Sequence, residues 1–247
     1  FGLRNNGTVA QKQHEEAQFR KWAENGPHAA VLDEMLALDE AEAATIERDT
    51  MMWFLAVLGD EMPLFSTLVE AAGALAANPG EAVSPRLLRV LGDEQLTADF
   101  EAIEAPILRL LLAEFAGVSA QQRLQGTEAL GNEGLDPAAA QAVLATPLRD
   151  AEKRRELFAR GLDAITASDD AMLALARGIA AERREFVLRQ RERAGRMLDV
   201  GRRWILAQEA FRGTSFYPDA NSTLRVSIAE VKGYVPRDGM VYLPQTT

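Results

Sequence analysis

Two histidines, His14 and His28, are the first residues to weigh as bases or metal ligands, because imidazole titrates near neutral pH. His14 opens HEEAQ, which lacks the second histidine that a zinc-binding HExxH helix places one turn further on. Carboxylates are plentiful, yet Glu15 with Glu16, and Glu40 with Glu42, are too close in sequence to share a helix face. The ExxH pattern of di-iron bundles is missing as well. With no cysteine there is no thiolate nucleophile, disulfide or thiolate-bound metal. No serine stands in GxSxG, SxxK or Gly-Asn-Ser-Gly, and GNEG at Gly131 lacks the Lys-Ser/Thr of a phosphate loop. The chain therefore reads as having no catalytic centre, metal site or cofactor of its own. One polar set remains, Asp219, Asn221, Thr223 and Arg225 inside FYPDANSTLRVS, whose side chains can cap a turn or hold a polar ligand.

The elements that would carry these residues are helical for most of the chain. Ala10, His14, Ala17, Phe19 and Trp22 recur at helical spacing until Gly26, Pro27 and His28 interrupt them. Val31, Leu32, Met35, Leu36 and Leu38, followed by Ile46, Met52, Trp53 and Leu55, predict one long second helix reaching Gly59. Met62 to Ala77 predicts a third, ended by Asn78, Pro79 and Gly80. Further helices are expected over 94–116, 119–126, 137–145 and 148–160, with TEALGNEGLDP, Thr127 to Pro137, as a loop. The longest helix is expected near residues 168–212, opened by Ser168, Asp169 and Asp170 as cap and acidic first turn. Met172, Leu175, Ile179 and Phe186 start its apolar seam, and Met197, Trp204 and Phe211 repeat it at intervals of seven. The Arg- and Glu-rich run AERREFVLRQRERAGR reads as a solvated face with intrahelical ion pairs, or else as an anion site. Trp22, Trp53 and Trp204 lie on apolar stripes and read as core anchors, with substrate lining as the alternative.

Composition bounds the function. The 247 residues, 47% of them apolar, can bury a sizeable core. A net charge of -10 argues against nucleic acid, which needs clustered Lys and Arg. The apolar run Met51 to Leu58 is far shorter than the roughly 20 residues of a membrane-spanning helix, so no membrane crossing is expected. FGLRNNGTVA has neither an initiating Met nor the charged-then-apolar order of a secretion signal, so Phe1 reads as an internal residue.

The last 31 residues hold all three tyrosines, Tyr217, Tyr234 and Tyr242, and change dialect. Pro218 ends helical possibilities, Thr223 to Ile228 alternate as a strand, Pro236 to Gly239 form a turn, and Met240 to Leu243 a second strand. Such a ribbon is marginal alone and wants partner strands. The expected fold is thus mainly α, a multi-helix domain over 1–215, followed by the first strands of a β-structure over 216–247. The rival reading is a free-standing helical scaffold.

Here a resemblance becomes specific. YPDANSTLRVS, followed by VKGYVPRDGMVY and a closing TT, strongly resembles the passage after the helical domain in serine peptidase family 46, the bacterial dipeptidyl peptidases. VAQKQHEEAQFRKWAENGPHAAVLDEM looks like the opening of that family's helical domain. The resemblance implies a helical domain inserted in a chymotrypsin-like double β-barrel, with the catalytic His and Asp before it and the nucleophilic Ser after it. It implies an enzyme that removes dipeptides from peptide N-termini, in the periplasm or at the surface of Gram-negative bacteria, as a homodimer. Its partners would be the peptide N-terminus and the rest of the barrel. Tyr217, Pro218, Asp219 and Thr223 would form the structural motif joining helix to barrel, while Asn221 and Arg225 either share that role or contact substrate. The family's amine-binding Asn has no counterpart in 45–58, and Ile228 and Ala229 stand where the family has Tyr-Gly, departures that leave a catalytically dead homologue as a further alternative.

Overall fold

The computed structural model describes residues 7–131, 134–213, 234–238 and 240–242. Helix α1 (Thr8–Ala23) is followed by α2 (Val31–Ala43) and α3 (Ile46–Val57), where the apolar spacing predicted one continuous helix. The break lies at Thr45, with φ -126° and ψ 6°. Its hydroxyl sits 3.4 Å from the Glu42 carbonyl and 3.1 Å from the Asp49 carboxylate, a local bonding option that competes with helix continuation. The break also re-aims α3. Met51 and Met52 turn inward, whereas Trp53 is 56% exposed, and Trp22 of α1 is exposed too, so the reading of these two as core anchors does not hold.

Helix α4 (Pro63–Ala77) begins with proline at its first position, where no N–H is needed. Helix α5 (Pro85–Leu91) was missed by periodicity because it is short, although Ser84 caps it by accepting from the Leu87 N–H. The expected helix over 94–116 is instead three pieces. A 3-10 turn (Glu94–Thr97) and a π-helical turn (Phe100–Glu104) precede α6 (Ala105–Gly117). Pro106 has no N–H to donate backwards, and the Ala105 N–H reaches the Phe100 carbonyl, the longer π-type step. No helix forms over 119–126, which is turn. Helices α7 (Pro137–Leu144), α8 (Ala151–Ala159) and α9 (Leu162–Ala167) follow, the first two capped by Asp136 and Asp150.

Helix α10 (Ala171–Arg212) runs 42 residues, about 63 Å at 1.5 Å per residue. Its early seam, Met172, Leu175, Ala176 and Ile179, is buried in one core with α4, α6, α7 and α8. Further along, Val200 and Ala207 are buried, and Trp204 meets Phe19 of α1 edge-on at 4.9 Å between ring centroids. The fold is mainly helical, as the sequence pattern required. Among the described residues no helix is long and apolar enough to cross a membrane.

Close packing on α10 depends on glycine at one point. A Cβ on Gly178 would lie 2.2 Å from the Gln125 carbonyl oxygen, so the 124–127 turn can approach only a bare backbone. Arg154 is the largest fully buried side chain. Its guanidinium donates to four carbonyls, those of Leu91 (2.8 Å), Asp93 (2.7 Å), Leu148 (2.7 Å) and Arg149 (2.8 Å). It thereby satisfies the C-terminal end of α5, where the helix dipole favours a cation, and ties α5 to α8.

The chain divides into two compact units, 1–208 and 209–247. In the second, strands β1 (Tyr234–Arg237) and β2 (Met240–Tyr242) pair antiparallel, Tyr234 opposite Tyr242 and Arg237 opposite Met240, with an irregularity between. The turn expected over Pro236 to Gly239 is therefore narrower, because Pro236 and Arg237 belong to the strand. Proline is compatible with a strand at such an irregularity, where ladder bonding is already interrupted. The expected strand Thr223 to Ile228 lies outside the described residues.

Two substitutions test this packing. Gly178→Ala, favourable by helix propensity by about 1 kcal/mol, is expected instead to lower the unfolding midpoint in urea. Arg154→Ala is expected to cost about 3–5 kcal/mol, since it strands buried carbonyls. A change within error for either would contradict the packing described.

Candidate functional site

A groove of about 380 Å³ opens where α3, α4 and α10 meet. Its floor is apolar, built from Met52 of α3, Phe65 and Val69 of α4, and Ile179 of α10, all buried. Phe186 and Val187 extend it along α10. The rim is charged, with Asp60 on the α3–α4 connection, Glu70 on α4 and Arg183 on α10. Glu70 and Arg183 approach to 3.9 Å with both side chains more than half exposed, a screened contact that contributes little to stability. Ser66 lines the groove too, but its hydroxyl bonds the Gly59 carbonyl at 3.0 Å and pins the turn. Neither histidine is in the groove. His28 stacks on Trp22 at 5.6 Å, and His14 bonds Gln18. An apolar floor with an ionic rim can hold an apolar side chain beside a charged group.

The groove walls are held by charges that sit on apolar stripes. Glu104, 1% exposed, accepts from the main-chain N–H groups of Leu64 (3.1 Å) and Phe65 (2.7 Å), capping α4 from forty residues away where Met62 offers no side-chain cap. Burial pushes the Glu104 carboxyl up to about 7, against the lowering pull of those two N–H groups and of Arg154. Glu182 of α10, also 1% exposed, accepts from Arg189 at 3.0 Å.

Arg189 also donates to Asp49 of α3 at 2.8 Å, and Gln190 reaches the same carboxylate at 3.3 Å. Arg193 pairs with Glu42 and Arg203 with Glu34, both on α2. The Glu34 carboxyl is held low by Arg203. Residue numbers rise along α2 and α3 as they fall along α10, the mark of antiparallel neighbours. The run read as a solvated face with intrahelical pairs thus also works between helices, through Arg189 to Asp49 and Arg193 to Glu42, although the bonds from Arg189 to Glu182 and Glu185 are intrahelical. At the far side of α3, the Ser119 N–H donates to Glu47 at 2.8 Å and the Glu47 N–H donates to Gln122, clamping the start of the helix.

Among the described residues no group of three or more His, Asp or Glu side chains is placed to hold a metal ion. Tyr217, Pro218, Asp219, Asn221, Thr223 and Arg225 lie outside the described residues. The groove and the buried carboxylates were not singled out from sequence. A signal existed: Glu104 shares a stripe with Phe100, Leu108 and Leu112, and Glu182 interrupts the seam between Ile179 and Phe186.

The buried carboxyl of Glu104 gives a pH dependence of defined sign. Its folded value lies above the ordinary carboxylate value, so its stability contribution is full below the unfolded range and is lost as pH rises through about 7. Urea unfolding is expected to show stability falling, on the order of 3 kcal/mol, between about pH 5 and pH 8. Glu104→Gln should flatten that slope; an unchanged slope in the variant would contradict the assignment.

Comparison with known proteins then gives the context. The Peptidase S46 family matches residues 1–247. A 38-residue segment is 50% identical to an Asp/Glu-specific dipeptidyl-peptidase of Flavobacterium psychrophilum, covering 15% of this chain. The matched segment spans only 5% of that relative's length. Since the match runs over residues 1–247 of this chain, the chain belongs to the Peptidase S46 family.

Proposed function

We propose that this chain is the helical cap of a serine-type dipeptidyl peptidase, one that removes dipeptides from the free N-termini of peptides. The single observation that carries the reading is a Peptidase S46 match over residues 1–247 of a chain whose groove offers binding groups but no nucleophile beside a base. In this reading the catalytic His, Asp and Ser lie in a chymotrypsin-like double barrel outside these residues, and the region 216–247 contributes barrel strands. Tyr217, Pro218, Asp219 and Thr223 join helix to barrel, and Asn221 and Arg225 stand at that junction within reach of substrate. The working assembly is a homodimer in the periplasm or at the surface of a Gram-negative bacterium.

A cap of this kind has a physical rationale. An exopeptidase must refuse internal segments, which a wall two residues from the scissile bond achieves. The ammonium of a free N-terminus then needs acceptors, because burying it unpaired costs several kcal/mol. The α3–α4–α10 groove supplies a wall, and Asp60 and Glu70 at its rim are carboxylates of the right charge.

Dipeptidyl reporter amides test this in the full-length protein. Substrates with a free N-terminus should be cleaved, and acetylation of that terminus should lower kcat/KM by about 100-fold, the scale of one unpaired buried polar group. Asp60→Asn combined with Glu70→Gln should raise KM by about three- to tenfold and leave kcat in place. Equal cleavage of blocked and free substrates, or turnover by residues 1–247 alone, would overturn the reading.

A further inference from the structure

The first turn of α4 has an unusual anchor. A helix normally caps its leading N–H groups with a side chain just before it. Here the residue in that place is Met62, and the acceptor is Glu104, at the end of the π-helical turn. The two carboxylate oxygens divide the work, Oε2 taking the Leu64 N–H and Oε1 the Phe65 N–H. The turn that presents Glu104 is braced from outside, where Arg149 pairs with Glu101 at 2.6 Å and lies over the Phe100 ring at 4.6 Å. These contacts brace the turn that presents the acceptor.

Beside Glu104 a cleft of about 190 Å³ is lined by Asp60, Glu61, Pro63, Asp99 and Ile103. Asp60 and Glu61 from the α3–α4 connection and Asp99 from the approach to the π-helical turn line this cleft, and Arg154 from α8 is the charged group that acts on the carboxyl. The first turn of α4 itself, Pro63 to Ser66, carries no titratable side chain. Burial of Glu104 favours the protonated form, and the Phe65 and Leu64 N–H groups and Arg154 oppose it.

We propose that Glu104 is a pH-responsive latch on α4: ionised, it holds the Leu64 and Phe65 N–H groups and fixes one wall of the groove; protonated, it releases one of them. The proton must sit on one of two oxygens that both accept. That oxygen then faces an N–H group with a hydrogen of its own, and a charge-assisted bond is replaced by a neutral one or lost. The freed turn carries Phe65, part of the groove floor, and Ser66, which pins Gly59. Acidification therefore loosens this wall locally even while it relieves the cost of a buried charge globally. The upward displacement of the Glu104 carboxyl to about 7 puts the change near neutral pH. The latch acts whether or not the groove receives peptide.

Hydrogen–deuterium exchange of the 247-residue chain tests it, with rates corrected for the intrinsic pH dependence of exchange. The Leu64 and Phe65 amides should be about tenfold better protected at about pH 8.5 than at about pH 5.5, the ratio between charge-assisted and neutral hydrogen bonds. Amides of Leu68, Leu112 and Ile179 should not follow that trend. Glu104→Gln should remove the local pH dependence; if this variant does not fold, the wild-type comparison between the two groups of amides decides alone. Equal protection at both pH values would overturn the latch. So would a change shared by all five amides, which reports global stability.

Discussion

Glu182 is a carboxylate in the middle of a helix seam, and its burial obliges a cation to meet it. Arg189, two turns later on α10, meets it and with the same terminal nitrogen binds Asp49 of α3. That bridge sets the register of α3 against α10. A one-residue slip would part the charges and turn Met52 away from the core. The groove exists because this register is held, since α3 and α10 supply two of its three walls. Arg193 with Glu42 and Arg203 with Glu34 continue the bridge along α2. These outer pairs are more exposed and contribute less, so Glu182, Arg189 and Asp49 form the part that matters.

Each buried charge joins elements distant in sequence. Arg154 gathers carbonyls from the end of α5 and from the 148–149 turn, and Glu104 gathers amides from α4. Both sit where a helix stripe would otherwise be apolar. Apolar packing alone tolerates sliding between helices, whereas a buried charge with directional partners tolerates little.

Much of the helical plan was legible in the sequence, because helix ends are written in local chemistry. Gly26 with Pro27, Asn78 with Pro79, and Asp170 before α10 mark boundaries through bonds made within a few residues. The break at Thr45 was not legible, since the apolar spacing continues across it and only a hydroxyl bond interrupts the chain. The π-helical turn before Pro106 was hidden for a similar reason. The arginines of α10 were legible as charges but not as partners of Asp49, Glu42 and Glu34, because periodicity within a helix says nothing about what faces it. The Trp53 reading failed with the helix break, which rotates its stripe outward. The groove needs three helices to be placed at once, and no single stretch encodes that. The motif residues Asp219, Asn221, Thr223 and Arg225 carried the family resemblance, and the family match over the whole chain agrees with it.

The claim that a buried charge bridge sets the α3–α10 register is open to a double-mutant cycle on Asp49→Asn and Arg189→Gln, read by urea unfolding. The two side chains are in direct contact, so their effects should fail to add, with a coupling of about 1–3 kcal/mol. Simple additivity would mean that this contact does not help to place α3, and the bridge would lose the role given to it here.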